Sequence, residues 1–267
     1  VAFISLMFGG AKYQQFFALI FYLVWQVIVV FAYQTYRQKA DNKWVFYFSV
    51  TISLLPLMIV KVMPAVLGVN SLLGFLGISY LTFRSVAMIM EMRDGELKAV
   101  TFWPFFRFMI FMPTISSGPI DRFRRFNDDY LNPPSRDVYL SMIEKAVWSL
   151  MLGAFYKFIM AHIFGDLLLP NAQQFALHAG GLFNWQTLLV MYAYGFYLFF
   201  DFAGYSDMAI GLGRMFGFHF LENFKYPYIS KSISEFWRRW HISLQTWFKD
   251  YIYIPLGGSR VNSKTRL

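Results

Sequence analysis

The fold of this chain is decided by residues 16–33, which read FFALIFYLVWQVIVVFAY and carry no charged side chain over eighteen residues. A helix needs about 20 predominantly apolar residues to cross a bilayer, so this stretch predicts a membrane span. The composition agrees, because 57% of the 267 residues are hydrophobic and only 15% are charged. An average soluble domain has about 25% charged residues. We therefore predict an all-α, polytopic integral membrane protein.

Outward from this stretch, other apolar segments predict further crossings. They are Trp44–Val60, Ser71–Met90, Val138–Phe164 and, as one span or a broken pair, Leu182–Leu212. The apolar run Phe102–Met112 is too short to cross, which predicts a re-entrant or interfacial helix. The segment Pro113–Arg136 contains Ser-Gly-Pro and several Asp and Arg residues, and is predicted to be a loop.

The net charge of +9 would indicate a nucleic-acid partner in a soluble protein. Here the cations alternate along the chain. Residues 34–43, 91–136 and 213–267 hold 19 of the 24 Lys and Arg residues, whereas loops 66–70 and 166–183 hold none. This alternation predicts that the basic regions face the cytoplasm, with the lipid bilayer and not nucleic acid as the partner.

The chain has no cysteine, which excludes disulfides, thiolate chemistry and cysteine metal ligands within it. It has no visible internal repeat or linker, so residues 1–267 are predicted to form a single membrane-embedded domain. Residues Val1–Gly10 lack the features of a signal peptide, and Ser263–Leu267 form no closing element. We expect a piece trimmed at both ends.

One segment has the composition of a reactive site. Residues 236–260 read FWRRWHISLQTWFKDYIYIPLGGSR, with five aromatics, three cations and His241 in the first fourteen positions. A continuous helix over Glu235–Tyr251 would place Trp237, His241, Leu244 and Phe248 on one stripe. An apolar setting lowers the pKa of an imidazole and keeps it in the neutral form that acts as a base. The alternative is a histidine with no catalytic part, on a helix lying at the lipid surface.

Charged residues within apolar segments are the other candidates, because such residues usually pair or serve a function. Asp201 is expected to pair with Arg238 or Arg239, or to face a water-filled cavity together with Asp207. Arg84 is expected either to pair with Glu91 or Asp94, or to clamp a phosphate or carboxylate. No His, Asp or Glu has the spacing of a metal site, and His162, His178 and His219 are scattered.

Several motifs resemble those of a known family. Residues 222–227, ENFKYP, followed by Phe236–Leu244, resemble the signature of the membrane-bound O-acyltransferases. Segments 76–84, 91–95 and 111–123 resemble the branch that transfers D-alanine to teichoic acids. Segments 206–213 and 251–260 resemble instead the branch that O-acetylates alginate and related polysaccharides.

The resemblance implies a ring of membrane helices around a funnel that narrows to a catalytic histidine, in the plasma membrane of a bacterium. It implies no bound cofactor. The donor would be a D-alanyl phosphopantetheine thioester on a carrier protein, and the acceptor a teichoic acid or a similar envelope polymer. His241 matches one of two family histidines, as a tunnel or supporting residue. The second would lie in a span beyond Leu267, so this piece alone is expected to be inactive.

Further site residues follow from this interpretation. Substrate or structural candidates are Arg84, Asp121, Asp201, Trp240 and Ser243. Candidates for docking the carrier protein are Arg238, Arg239, Lys249, Tyr251 and Ile254. Polysaccharide O-acetylation is the first alternative function. A membrane transporter is the second, although a transporter would be expected to show repeated halves.

Overall fold

The computed structural model describes residues 13–68, 77–179 and 184–258, and every regular element in these ranges is a helix. The α-helices are α1 (Tyr13–Arg37), α2 (Lys43–Leu67), α3 (Ile78–Arg93), α4 (Phe102–Met109), α5 (Phe123–Leu131), α6 (Arg136–Ala154), α7 (Leu169–Ala179), α8 (Trp185–Met215), α9 (Ile233–Arg239) and α10 (Ile242–Phe248). Short 3-10 helices occupy Met112–Thr114 and Pro227–Ile229, and π-helical turns occupy Phe155–Met160, Ile163–Leu168 and Lys249–Tyr253.

Four helices of the described ranges are long and apolar enough to cross a membrane. They run over Gln15–Arg37, Lys43–Pro64, Arg136–His178 and Trp185–Met215. The all-α membrane fold predicted from the sequence is therefore confirmed. The last helix is unbroken, so the broken-pair alternative for Leu182–Leu212 was wrong, although Leu182 itself lies outside the described residues.

The predicted span Ser71–Met90 corresponds to a short, mostly buried helix in the described residues. Residues 71–76 lie outside the described residues, and the remainder belongs to α3, which has 16 residues. This helix is not among the four candidate spans, and most of its side chains are buried. An apolar segment of this length can equally be a core helix, which periodicity alone does not distinguish from a span.

Two further boundaries differ from the prediction. The helix predicted at Val138–Phe164 continues through two π-helical turns and α7, so that the hydrophobic helix has 43 residues. The predicted loop Pro113–Arg136 contains α5 and part of a 3-10 helix. Helix α5 is amphipathic and buries Phe123 and Phe126, which explains why a segment rich in Asp and Arg is nevertheless helical.

Local hydrogen bonds fix where several helices begin. The side chain of Asn42 accepts from Trp44 N before α2, at 2.9 Å, and Asn184 accepts from Thr187 N before α8, at 2.8 Å. Ser232 caps α9 by accepting from Glu235 N at 3.2 Å. Such caps satisfy backbone N–H groups that have no partner within the helix.

The chain forms two compact units. The first contains Val1–Ser116, Ile120–Asp128 and Trp247–Leu267, and the second contains Ser117–Pro119 and Asp129–Thr246. In the second unit, α6 packs along α8 at very short range, since Gly153 and Gly204 face each other without side chains between the backbones. The prediction of a single domain stays a prediction.

Candidate functional site

The segment that carries His241 is not a single helix. Helix α9 ends at Arg239 and α10 begins at Ile242, so the prediction of one helix over Glu235–Tyr251 was wrong. Between them Trp240 is extended (φ −103°, ψ 126°) and His241 has a positive φ of 46°. The backbone N–H of Ile242, which a continuous helix would bond to the carbonyl four residues earlier, instead donates to the carbonyl of Asn223 at 2.9 Å.

His241 lies in an apolar, half-buried setting within the second unit. Its ring meets the edge of Phe202 at a centroid separation of 4.8 Å and an interplanar angle of 87°. Burial lowers the pKa of the imidazole to about 4. Nδ1 is buried and has no hydrogen-bond partner among the described residues. A neutral imidazole carries one ring nitrogen that can accept a hydrogen bond and one that can donate it.

A buried amide group connects the elements around this histidine. Asn223 is 1% exposed, and its Nδ2 donates to Ser206 Oγ of α8 at 3.0 Å. Its Oδ1 accepts from Ser243 Oγ at 2.6 Å and from Ser243 N at 3.3 Å. Ser243, predicted as a substrate or structural residue, is thus part of a hydrogen-bonded core.

Trp240, another predicted site residue, is packed in an aromatic cluster within the same unit. Its ring stacks on Phe236 at 5.5 Å and meets the edge of Phe224 at 5.1 Å. Phe199 and Tyr228 lie slightly further from it, at 6.1 and 6.3 Å. The cluster covers one side of the Trp240–His241 junction with aromatic rings.

Asp201 does not pair with Arg238 or Arg239. Its carboxylate forms an ion pair with Lys157, from a π-helical turn next to α6, so the predicted partners were wrong. Lys157 is 44 positions away in the sequence, and the α6–α8 packing brings it close. Asp207, one and a half turns later on α8, instead lines a cavity of about 540 Å³ together with Arg214 and Glu222.

In the first unit, Arg84 is 1% exposed and binds backbone oxygens. Nη1 donates to the carbonyls of Phe108 and Met109 at 2.7 and 3.2 Å, and Nη2 donates to Thr114 O at 2.6 Å. The predicted pairing with Glu91 or Asp94 was wrong, because Glu91 accepts from Tyr251 and Asp94 binds Arg93. With both terminal nitrogens occupied, Arg84 holds α3 to the C-terminal end of α4 and to the 3-10 helix that follows it.

Asp121 has a comparable structural part in the first unit. Its carboxylate accepts from Arg122 N at 2.7 Å and from Arg125 Nε at 2.9 Å, at the start of α5. Burial raises the pKa of this carboxyl, and the charge of Arg125 opposes that shift. The arrangement stabilises the first turn of the helix.

The residues predicted to dock a carrier protein differ in exposure. Arg238 is exposed, whereas Arg239 is tied to Glu235 at 2.6 Å, both within the second unit. In the first unit Lys249 and Ile254 are exposed, Ile254 by 54%. Tyr251 is buried, and its hydroxyl donates to Glu91 at 2.6 Å, which places it beneath the surface instead of on it.

Sequence reasoning missed Asn223, Ser206, Phe202 and Lys157 as neighbours of the candidate residues. Asn223 carried one signal, since it is an amide in the otherwise aromatic and charged motif of residues 222–227. No group of three metal-ligating side chains could hold an ion in the described ranges.

Comparisons with known proteins agree with these features. Residues 78–266 match the family model for membrane-bound O-acyltransferases. The chain is 54% identical to the teichoic acid D-alanyltransferase of Streptococcus thermophilus over 96% of its length, and 45% identical to that of Lacticaseibacillus rhamnosus over 95%. It is 43% identical to a probable alginate O-acetylase of Pseudomonas fluorescens over 71% of its length.

The matched region covers 62% and 64% of the two D-alanyltransferases and 37% of the O-acetylase. The chain therefore spans less than two thirds of the length of these relatives. Within it, the matched family region contains α3 through α10 and includes the whole environment of His241. This chain belongs to the membrane-bound O-acyltransferase family.

Proposed function

We propose that the protein transfers D-alanine from a carrier-protein thioester to teichoic acid or a similar polymer of the bacterial cell envelope. The observation that carries this proposal is the identity of 54% and 45% to two teichoic acid D-alanyltransferases over nearly the whole chain. The alginate O-acetylase match is lower and covers only 71% of the chain. Four apolar helices support a location in the bacterial plasma membrane.

The chemistry needs a base for the acceptor hydroxyl. The hydroxyl oxygen attacks the thioester carbonyl carbon while its proton passes to an imidazole nitrogen, and the resulting intermediate expels the phosphopantetheine thiolate. The thiolate takes the proton, so that an ester and a free thiol remain. A positioned base contributes about 100- to 10,000-fold to such a step.

His241 fits this reaction site. Its low pKa keeps the imidazole neutral, and its buried Nδ1 is unpaired among the described residues. In this proposal His241 has one of two roles. It takes the hydroxyl proton itself, or it orients the second histidine that the family resemblance implies. The aromatic cluster around Trp240 supports exclusion of water, which would otherwise hydrolyse the thioester.

A carrier protein presents acidic groups to a basic surface in this proposal. Arg238 in the second unit and Lys249 in the first unit are each exposed and form no ion pair with any residue of the described ranges, which supports each of them as a docking candidate. Within the first unit we keep Ile254 as an exposed apolar contact beside Lys249 in the sequence, and we assign to the buried Tyr251 a supporting role in the same segment.

A second candidate, O-acetylation of an exported polysaccharide, is favoured by the 43% identity to the probable alginate O-acetylase. The test replaces His241 by Ala and by Gln in the chromosomal gene. Ester-linked D-alanine and ester-linked acetyl are then measured in the envelope polymers, with protein abundance in the membrane as a control. We expect D-alanine esters to fall about 100-fold or more in both variants.

Loss of acetyl esters with unchanged D-alanine would replace the proposal by the second candidate. Unchanged amounts of both esters, with normal protein abundance, would remove His241 from the reaction altogether. A matched control is His178→Gln, because His178 is exposed at the end of α7 and, among the described residues, bonds to a backbone carbonyl of its own helix. This control is expected to retain wild-type ester content.

A further inference from the structure

The strained conformation of His241 needs a physical cause. A positive φ is uncommon for any residue other than glycine and costs free energy, so the surroundings must impose it. Of the described residues other than glycine, only Tyr226 shares this property with His241. The two positions lie in the two chain segments that Asn223 and its neighbours connect.

Asn223 makes hydrogen bonds to both residues that follow His241. Its backbone carbonyl accepts from Ile242 N at 2.9 Å, and its Oδ1 accepts from the hydroxyl and the N–H of Ser243. A further backbone bond joins Lys225 N to Arg239 O at 3.0 Å, two residues before the histidine. The chain on both sides of His241 is therefore fixed to the segment 223–225.

The Asn223 side chain also binds α8, the helix that carries Phe202, whose ring contacts the imidazole. Asn223 Nδ2 donates to Ser206 on α8, and Phe202 lies one turn earlier on that helix, so both side chains share one face. Phe202 makes the edge contact with His241. The buried Asn223 side chain thus joins the start of α10, two residues after the histidine, to the face of α8 against which the histidine ring rests.

No other common residue offers this set of bonds. An aspartate lacks the donor for Ser206 and would bring a charge into a site that is 1% exposed. A glutamine has the same groups one methylene further out. An aliphatic side chain would leave the Ser206 and Ser243 hydroxyls without this partner.

We infer that Asn223 is a positioning residue, which holds His241 in its left-handed conformation against Phe202 and so fixes the imidazole for the acyl transfer proposed above. The inference rests on the proposed function for its catalytic consequence only. The geometric part can be tested on His241 itself.

The experiment uses the full-length protein in detergent and compares wild type, Asn223→Ala, Ser206→Ala and Asn184→Ala. Diethyl pyrocarbonate, which reacts with neutral imidazole, is applied over a range of pH, and the modification rate of His241 is read by mass spectrometry. Asn184→Ala is the matched control, because it removes another asparagine side-chain hydrogen bond of the second unit, at the start of α8. The exposed His178 is the internal control for reagent activity.

In the wild type and in Asn184→Ala we expect a rate at His241 that stays level from about pH 7.5 to about pH 5.5, since the ring is already neutral. In Asn223→Ala the ring is released and regains the ordinary titration near pH 6.5, so its rate should fall about tenfold over the same interval. D-alanine transfer measured alongside should lose at least about tenfold in kcat, with little change in the KM for the loaded carrier.

A level pH profile in Asn223→Ala, with kcat within about twofold of the Asn184→Ala control, would overturn the inference. If Asn223→Ala fails to fold, Ser206→Ala decides by the same readout: a sloping profile supports the positioning role, and a level profile overturns it. If the profile slopes as expected but the wild type transfers no D-alanine, the positioning role stands and the proposed function fails.

Discussion

His241 owes its neutral state to burial, with no charged neighbour contributing to the shift in its pKa. The pKa of this imidazole is about 4, below the ordinary value of 6.5. Between these two values the unfolded chain binds a proton at this position and the folded chain does not. Stability therefore decreases as the pH falls through this interval.

This linkage gives a prediction for the stability of the protein. The contribution of His241 is fully present above pH 6.5 and should decrease by on the order of 1–2 kcal/mol by about pH 5. His241→Gln removes the titrating group. The unfolding free energy of the wild type should therefore decrease relative to that of the variant as the pH falls. Denaturation in mixed micelles at about pH 7 and about pH 5 measures this. A difference that is equal at both values would contradict the lowered pKa.

Arg84 illustrates a buried charged residue whose terminal nitrogens both bind backbone oxygens. Its guanidinium reaches the carbonyls of Phe108 and Met109, the last two residues of α4, and of Thr114, the last residue of a 3-10 helix. These oxygens have no partner within regular helix, so a planar donor with several N–H groups is well suited to them.

We expect Arg84→Met to destabilise the protein by about 2–4 kcal/mol, because three carbonyls lose their donors while the cost of burying one charge disappears. Arg84→Lys should be intermediate, since one ammonium group cannot reproduce the fork. The matched control is Arg136→Met at the exposed start of α6, with an expected effect within about 0.5 kcal/mol. Equal melting temperatures for Arg84→Met and the control would contradict this assignment.

At the scale of elements, the sequence predicted the membrane helices well and the helix at residues 235–251 poorly. A span is recognised from a continuous apolar run, which is a local property, and residues 16–33 and 44–60 show it without ambiguity. The break at Trp240 depends on a hydrogen bond from Ile242 to Asn223, a distant position in the sequence. Periodicity contains no information on such a bond.

The ion pair of Asp201 shows the same limit. The predicted partners were Arg238 and Arg239 of α9. The observed partner, Lys157, comes from the π-helical turn that follows α6. That pairing depends on how closely α6 packs against α8. Glycines at the contact allow the two backbones to approach. A Cβ at Gly204 would lie 2.6 Å from Lys157 N and 2.7 Å from Gly153 O. The sequence shows the glycines but not which surface they face.

We predict that Gly204→Ala separates α6 from α8 and destabilises the second unit by about 1–3 kcal/mol. The control lies on the same helix: Gly195→Ala would bring its Cβ only to 3.6 Å from the Tyr228 hydroxyl, with no closer contact among the described residues. That variant should be neutral or stabilised by up to about 1 kcal/mol, since alanine favours helix. Thermal stability of the two variants in the same detergent compares them, and a larger loss for Gly195→Ala would contradict the packing argument.

At the scale of the whole molecule, the spans and the charges constrain each other. Residues 34–43 and the region 91–136 each hold several Lys and Arg residues and are predicted to face the cytoplasm. Helix α2 crosses once between them and leaves its end, near Gly68, on the opposite side. The predicted cytoplasmic position of the region 91–136 therefore requires the chain to cross back before it, and α3 is shorter than a normal span. The burial of most α3 side chains is compatible with such a crossing, because a short helix is tolerated in a membrane when protein surrounds it.

This topology can be tested with single cysteines, since the chain contains no native cysteine. Cysteine is introduced at Lys39, Val66, Lys98 or His178, which are all exposed. A membrane-impermeant maleimide added to intact cells should label positions 66 and 178 and leave 39 and 98 unlabelled until the membrane is permeabilised. Labelling at both 66 and 98 from outside would show that α3 does not cross and would reverse the predicted side of the region that precedes α6. Labelling at 39 and 98 alone would keep every crossing but invert the orientation, and the exposed Arg238 could then no longer meet a cytoplasmic carrier protein.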